Sequence, residues 1–211
     1  MSRTILNIVL TLIFFGLAYV LAMMIYEPIQ FQDQKDKRER AVATQLKKIR
    51  TAQQAFKSIT GRYAEDFDTL SDVLTNGQFK IETVIGDIDA GEVVTRTETF
   101  VNAIDSMTTL GISTNRDSLA HVPYGAKGAR YEMKSMEIEY QSTYVQVVEV
   151  KIPWKDFMGS YASARYTRYD ATYNPTKPSE RNYYLKFGDL TKPTLNANWR
   201  KFGKDSADEE E

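Results

Sequence analysis

Residues 5 to 25 read ILNIVLTLIFFGLAYVLAMMI and contain no charged side chain. A helix rises about 1.5 Å per residue, so this stretch spans about 30 Å, the thickness of the hydrocarbon core of a bilayer. We therefore expect a membrane helix over residues 5–26, preceded by a short flank at residues 1–4. The residues that we assign to this membrane helix include Ile5, Phe14, Phe15, Gly16, Leu21 and Ile25.

The same stretch follows a basic residue, Arg3, as the apolar region of a cleaved secretory signal also does. It is longer than such a region, which usually has about 7 to 15 residues. It also ends in the bulky pair Met23-Met24 and not in a small-residue cleavage site. We expect a retained anchor that crosses the bacterial inner membrane once and has the lipid bilayer as a partner.

The basic residues that flank the apolar segment bear on its orientation. Arg3 precedes it, whereas Lys35, Lys37, Arg38 and Arg40 follow it, so a simple count places the following domain in the cytoplasm. The first of these four lies well beyond Ile25, and basic residues close to the membrane weigh more. Together with the resemblance described below, this favours a periplasmic domain.

The composition narrows the range of functions. The chain has 211 residues, so the part that follows the apolar segment is long enough for one domain with its own core. The net charge is −1, which does not favour nucleic acid as a partner. The chain has no cysteine, which excludes disulfides, cysteine nucleophiles and thiolate metal sites.

Residues 27–61 form a charged and then amphipathic connection. Pro28 is predicted to kink the helix or to end it at about Glu27. Further along, apolar residues recur at helical spacing, with Gln53 in register, until Gly61 stops the helix. This stripe consists of Val42, Leu46, Ile49, Phe56 and Ile59. It either covers the sheet of the chain's own domain or forms a short coiled coil with a second copy or a partner helix.

Residues 62–203 are predicted to form a β-rich domain, and residues 204–211 a disordered acidic tail. The fold class is therefore α+β, with an N-terminal transmembrane helix and an amphipathic helix packed on an antiparallel β-sheet domain. The predicted elements of the domain are a short helix over 63–74 that is closed by Asn76-Gly77, a hairpin over 79–100, helix or irregular structure over 101–112, a hairpin turning at Gln141-Ser142, and strands at 161–169 and 183–190.

Few residues suggest catalysis. His121 is the only histidine and lies beside Pro123 in a loop-like segment, and the glycines of residues 125–130 lack the phosphate-loop pattern. The acidic residues between 65 and 72 lack the glycine and the spacing of a calcium loop. We expect no catalytic residue, no metal, no cofactor and no small-molecule substrate, and therefore a protein that is not an enzyme.

One stretch combines tyrosine and arginine in alternation. Its residues are Tyr161, Arg165, Tyr166, Arg168, Tyr169 and Tyr173. On a strand, several of them would lie on one exposed face, and both residue types dominate protein interfaces. The same types stack on glycan rings or on single-stranded nucleic acid. The structural alternative is that these tyrosines are strand formers with half-buried rings.

Residues 43–74 have the form AxxLxxIRTAQQAFKxxxGRYAEDFDTLxxxL. This pattern resembles type IV pilins and the pseudopilins of type II secretion. The matching positions are Ala52, Ala55, Phe56, Gly61, Tyr63, Phe67 and Leu70. The resemblance implies one long helix packed on an antiparallel sheet that lies outside the cytoplasm. Residues 1–10 contain neither the cleavage site nor the acidic residue of a prepilin. Other single-pass envelope proteins also have this layout of a membrane helix, an amphipathic helix and a β-rich domain.

From these observations we expect a non-enzymatic, membrane-anchored structural subunit of an envelope assembly. It would be pilin-like or secretion-related, and it would bind other protein subunits or further copies of itself. The alternative is a tethered module that binds glycan or cell wall through the tyrosine and arginine face.

Overall fold

One helix, α1 (Arg3–Thr60), runs through both the apolar segment and the amphipathic stripe. This computed structural model describes residues 3–85, 95–170 and 184–199. Pro28 lies inside α1, so the expectation that the helix ends there is wrong. The proline removes one hydrogen bond from a helix of 58 residues, and Phe31, one turn later, is fixed by burial. Packing on the far side of the proline therefore outweighs the local penalty.

The predicted stripe packs inside the chain's own domain, here called the head. Val42, Leu46 and Ile49 have no exposed surface, Phe56 is 1% exposed, and Ile59 is half-buried. The first three belong to a core that also contains side chains of two head strands: Val148, Val150, Ile152, Leu185 and Phe187. A second copy therefore cannot reach these side chains in this conformation. The stripe covers the sheet of the chain's own domain and does not form a coiled coil with another helix.

The head is α+β, with short helices and two small antiparallel sheets. The helices are α2 (Phe67–Asn76), α3 (Ala103–Thr109), α4 (Arg116–Leu119), α5 (Trp154–Met158) and α6 (Ala164–Thr167), with a 3₁₀ turn at Gly159–Ala162. The strands are β1 (Gln78–Ile85), β2 (Thr95–Asn102), β3 (Glu132–Tyr140), β4 (Thr143–Pro153) and β5 (Tyr184–Gly188). The expected antiparallel sheet is thus divided into a β1-β2 hairpin and a separate sheet of order β3-β4-β5.

The second hairpin turns where the sequence predicts. Gln141 and Ser142 have φ values of 50° and 63°, which is the left-handed conformation that a two-residue hairpin turn requires. β3 and β4 pair from Tyr140 and Thr143 back to Glu132 and Lys151. The predicted turn of the first hairpin lies outside the described residues, as do the acidic tail at 204–211 and most of the loop before β5.

The predicted strand at 161–169 is wrong. These residues form the 3₁₀ turn, α6 and the bends around them. Alternating residue types indicate a strand only where a neighbouring strand can pair, and here the neighbour is α1. The rings pack on that helix, and the packing determines the backbone.

Asp66 caps α2 and offers a test of local electrostatics. Its carboxylate accepts a hydrogen bond from the backbone N–H of Thr69 at 2.7 Å, and this bond lowers the pKa of Asp66. We expect Asp66→Ala to cost about 1 kcal/mol of head stability, whereas Asp66→Asn retains most of the cap. Because the folded-state pKa is depressed, the charge contributes stability above the ordinary pKa, and this contribution is lost as pH falls through the folded value.

Urea denaturation of the full chain in detergent, at neutral and acidic pH, measures this effect. The advantage of the wild type over Asp66→Asn should disappear at the acid end. Glu65→Gln, at the exposed neighbouring position, is the control and should not change the pH profile in this way.

Gln53 is the polar member of the stripe and has no exposed surface. Its side-chain oxygen accepts a hydrogen bond from the backbone N–H of Ala64 at 2.9 Å, and its side-chain nitrogen donates to the carbonyl of the same residue at 3.1 Å. We expect Gln53→Leu to cost about 2 kcal/mol, because it leaves two buried backbone groups of Ala64 without these partners. Gln54→Leu, on the exposed face, should change the urea midpoint little, and equal losses would contradict this role of Gln53.

Candidate interaction site

Residues 159–170, here called the collar, lie against α1 a short distance after the apolar segment. The ring of Phe31, which has no exposed surface, stacks on that of Tyr166 with centroids 5.6 Å apart and planes at 8°. The rings of Tyr161 and Tyr169 lie at 6.5 Å and 6.1 Å from the same phenylalanine. Three of the predicted interface tyrosines are therefore brought together around one side chain of α1.

A second layer of contacts is polar and buried. Lys35 forms an ion pair with Asp170, and their side chains are only 7% and 10% exposed. The ammonium group of Lys35 also lies 5.3 Å from the ring centroid of Trp154. Gln32 donates a hydrogen bond to the carbonyl of Tyr169 at 3.0 Å. A buried charge is stable only with such partners, so these contacts fix the collar to one register on α1.

The third contact reaches past the proline toward the apolar segment. Glu27 forms an ion pair with Arg165, and a nitrogen of Arg168 lies 3.6 Å from its other carboxylate oxygen. The hydrogen bond from Arg165 lowers the pKa of Glu27. The collar thus holds α1 on both sides of Pro28.

These contacts change the interpretation of the predicted interface residues. Tyr161, Tyr166 and Tyr169 are half-buried, and only Arg165 and Arg168 are well exposed. The predicted single exposed face is therefore wrong for the rings, which pack on α1. Tyr173 lies outside the described residues.

The residues of α1 that contact the collar were not predicted from the sequence. They include Glu27, Phe31 and Lys35. Their spacing of four residues continues the stripe backwards from Val42, and this periodicity was the available signal. Two of the three are charged, and charged residues at helical spacing normally indicate a solvated face.

The β1-β2 hairpin, at the other end of the head, forms the second candidate surface. Phe100 is 60% exposed and Ile81 is 47% exposed. Within the described residues neither strand has a second strand partner, so the outer edges of the hairpin are available for pairing. The nearby ion pair between Lys80 and Glu98, at 2.6 Å, is surface-exposed.

A cavity of about 480 Å³ opens at the start of α2. Acidic and basic side chains share its lining, including Asp68 and Arg116, which pair at 2.7 Å. The hydroxyl of Tyr131, a buried residue of the lining, has no hydrogen-bond partner among the described residues. His121 is exposed and does not line this cavity. Over residues 3–85, 95–170 and 184–199, no group of three or more His, Cys, Asp or Glu side chains could hold a metal ion.

The apolar part of α1 is exposed along its whole length, and α1 is long and apolar enough to cross a bilayer. Comparison with models of known protein families, with curated proteins and with solved structures finds no match. The resemblance to pilins and pseudopilins therefore stays a prediction.

Proposed function

We propose that this chain is a non-enzymatic, single-pass subunit of a bacterial envelope assembly. In this proposal α1 anchors the chain in the inner membrane, and the head lies in the periplasm and binds another protein subunit. The observation that carries the proposal is the combination of an exposed apolar helix at one end with a hairpin at the other that exposes Phe100 and, within the described residues, pairs with no further strand.

The β1-β2 hairpin has the properties of a docking surface for a protein strand. A two-stranded hairpin alone is only marginally stable in water, so a third strand would add both hydrogen bonds and buried area. An exposed edge supplies the backbone groups for such pairing, and Phe100 supplies a large apolar anchor beside it. The partner that fits is a polypeptide with an extended segment, either from another subunit or from a second copy.

The alternative proposal, glycan or cell-wall binding through the tyrosine and arginine stretch, has less support. Stacking on a sugar requires an open ring face, whereas Tyr166 stacks on Phe31. The pilin-like version of the assembly is supported only by the arrangement of the elements. The resemblance implies a long helix packed against antiparallel strands, and α1 packs in this way on β4 and β5.

Photo-crosslinking in cells tests the partner surface. A crosslinkable residue at Phe100 should capture a protein, whereas one at Tyr144, on the tip of the other hairpin and 72% exposed, should not. The double variant Ile81→Ser/Phe100→Ser should lose this partner without a lower urea midpoint. A chain that crosslinks to nothing at Phe100, and that is extracted alone in mild detergent, would contradict the proposal.

A reporter fused to the C-terminus tests the orientation. We expect alkaline phosphatase to be active there and a cytoplasmic reporter to be inactive. The reverse pattern would place the head in the cytoplasm and would exclude both the pilin-like and the cell-wall versions.

A further inference from the structure

We propose that the collar rests on the membrane surface and that Arg165 and Arg168 bind the phosphate groups of anionic lipids. The inference rests on the proposed anchoring of α1 and adds a ligand for the head. Its basis is the depth at which the structure holds these two side chains.

The geometry of α1 gives that depth. At about 1.5 Å per residue, Glu27 lies about 3 Å beyond Ile25 along the helix axis, and Phe31 lies about 9 Å beyond it. The headgroup layer on each side of the hydrocarbon core is about 5 to 7 Å thick. Because Arg165 and Arg168 both contact Glu27, their guanidinium groups lie within that layer when residues 5–26 span the core.

The two arginines also have the chemistry that phosphate requires. Their side chains are 64% and 62% exposed, so donors remain free to face outward. One carboxylate, that of Glu27, stands opposite two guanidinium groups, which leaves one positive charge. A guanidinium group has five donors in a planar fork, and this geometry matches a phosphate.

Neighbouring side chains hold this arrangement in place. Arg168 donates a hydrogen bond to the hydroxyl of Tyr169 at 2.6 Å, and Tyr169 is fixed by its packing on Phe31. Tyr26 is exposed on α1 at the same depth, where amphipathic rings are favoured at a membrane surface. An open surface with two exposed arginines would bind a soluble anion weakly, whereas a bilayer presents phosphates at high local concentration.

A spin label tests the position of the collar. The chain has no cysteine, so Ser163→Cys introduces one labelling site in the full-length protein. In nanodiscs of phosphatidylcholine with about one third phosphatidylglycerol, we expect collision measurements with oxygen and a nickel chelate to place this label at headgroup depth. Thr75→Cys in α2 is the control and should report bulk water.

Native mass spectrometry of the same preparations tests the ligand. We expect Arg165→Gln/Arg168→Gln to retain phosphatidylglycerol at least about threefold less than the wild type. The matched control is Lys48→Gln/Arg62→Gln, which removes two exposed positive charges farther along the chain and should retain as much as the wild type. Unchanged tryptophan fluorescence of both double variants verifies that the head is folded.

Each outcome has one meaning. A Ser163 label in bulk water overturns the inference, as does equal lipid retention by both double variants. Failure of the proposed anchoring would be seen in a different measurement. A chain that is not anchored would be washed from membranes by carbonate and would not enter nanodiscs at all.

Discussion

Gly188→Ala is expected to destabilise the head by about 4 kcal/mol. Gly188 ends β5 with a φ of 78°, and an added Cβ would lie 2.0 Å from the carbonyl oxygen of Val148. The backbones of β4 and β5 would have to separate where Gly188 pairs with Glu149, and where its N–H donates to Asn196 at 2.9 Å. Urea denaturation followed by tryptophan fluorescence measures the loss, because both tryptophans lie in the head.

Gly111→Ala is the matched control. Gly111 also has a positive φ, 67°, but no atom lies within 4 Å of an added Cβ. It should therefore cost only the conformational penalty of about 1–2 kcal/mol. Equal shifts of the urea midpoint in the two variants would mean that the close approach between β4 and β5 is not the cause.

Lys35→Met is expected to cost about 3–5 kcal/mol, because it takes the positive partner away from a buried carboxylate. Asp170 is 135 residues away in the chain, so the loss should also loosen the collar from α1. The fluorescence of Trp154, whose ring lies 5.3 Å from the ammonium group, should change even without denaturant.

Two further variants distinguish this charge effect from a general effect of mutation. Lys37→Met, on the exposed face of the same helix, should leave the urea midpoint within about 0.5 kcal/mol of the wild type. Adding Asp170→Asn to Lys35→Met should restore part of the stability, since it removes the buried negative charge. No restoration would contradict the ion pair as the main cause.

Local pattern was sufficient to predict most of the elements of this fold. The stripe from Val42 to Phe56 follows from spacing alone, because apolar side chains at that period share one face of a helix. Gln141-Ser142 marks a turn between two alternating runs, and Gly61 is the glycine that ends α1, with a φ of 80°. These elements depend on residues close together in the chain.

The collar could not be predicted in the same way. Its structure depends on contacts between residues more than a hundred positions apart, such as Gln32 with Tyr169 and Lys35 with Asp170. The sequence indicated Tyr166 and its neighbours as a candidate site. The alternating pattern could not show, however, that this segment packs on α1 and not beside another strand. The expected helix end at Pro28 is wrong for the same reason, because the local cost of the proline is offset by the packing of Phe31.

The unbroken course of α1 has a mechanical consequence. From Ile25 to Thr60 the helix extends for about 53 Å, and the collar clamps it on both sides of its weakest point. A change of about 10° in the tilt of the apolar segment would therefore swing the far end of the head sideways by roughly 9 Å. Tilt responds to the thickness of the surrounding bilayer. In the proposed anchoring, the helix would act as a lever arm that converts small differences in lipid thickness into large displacements of the β1-β2 hairpin.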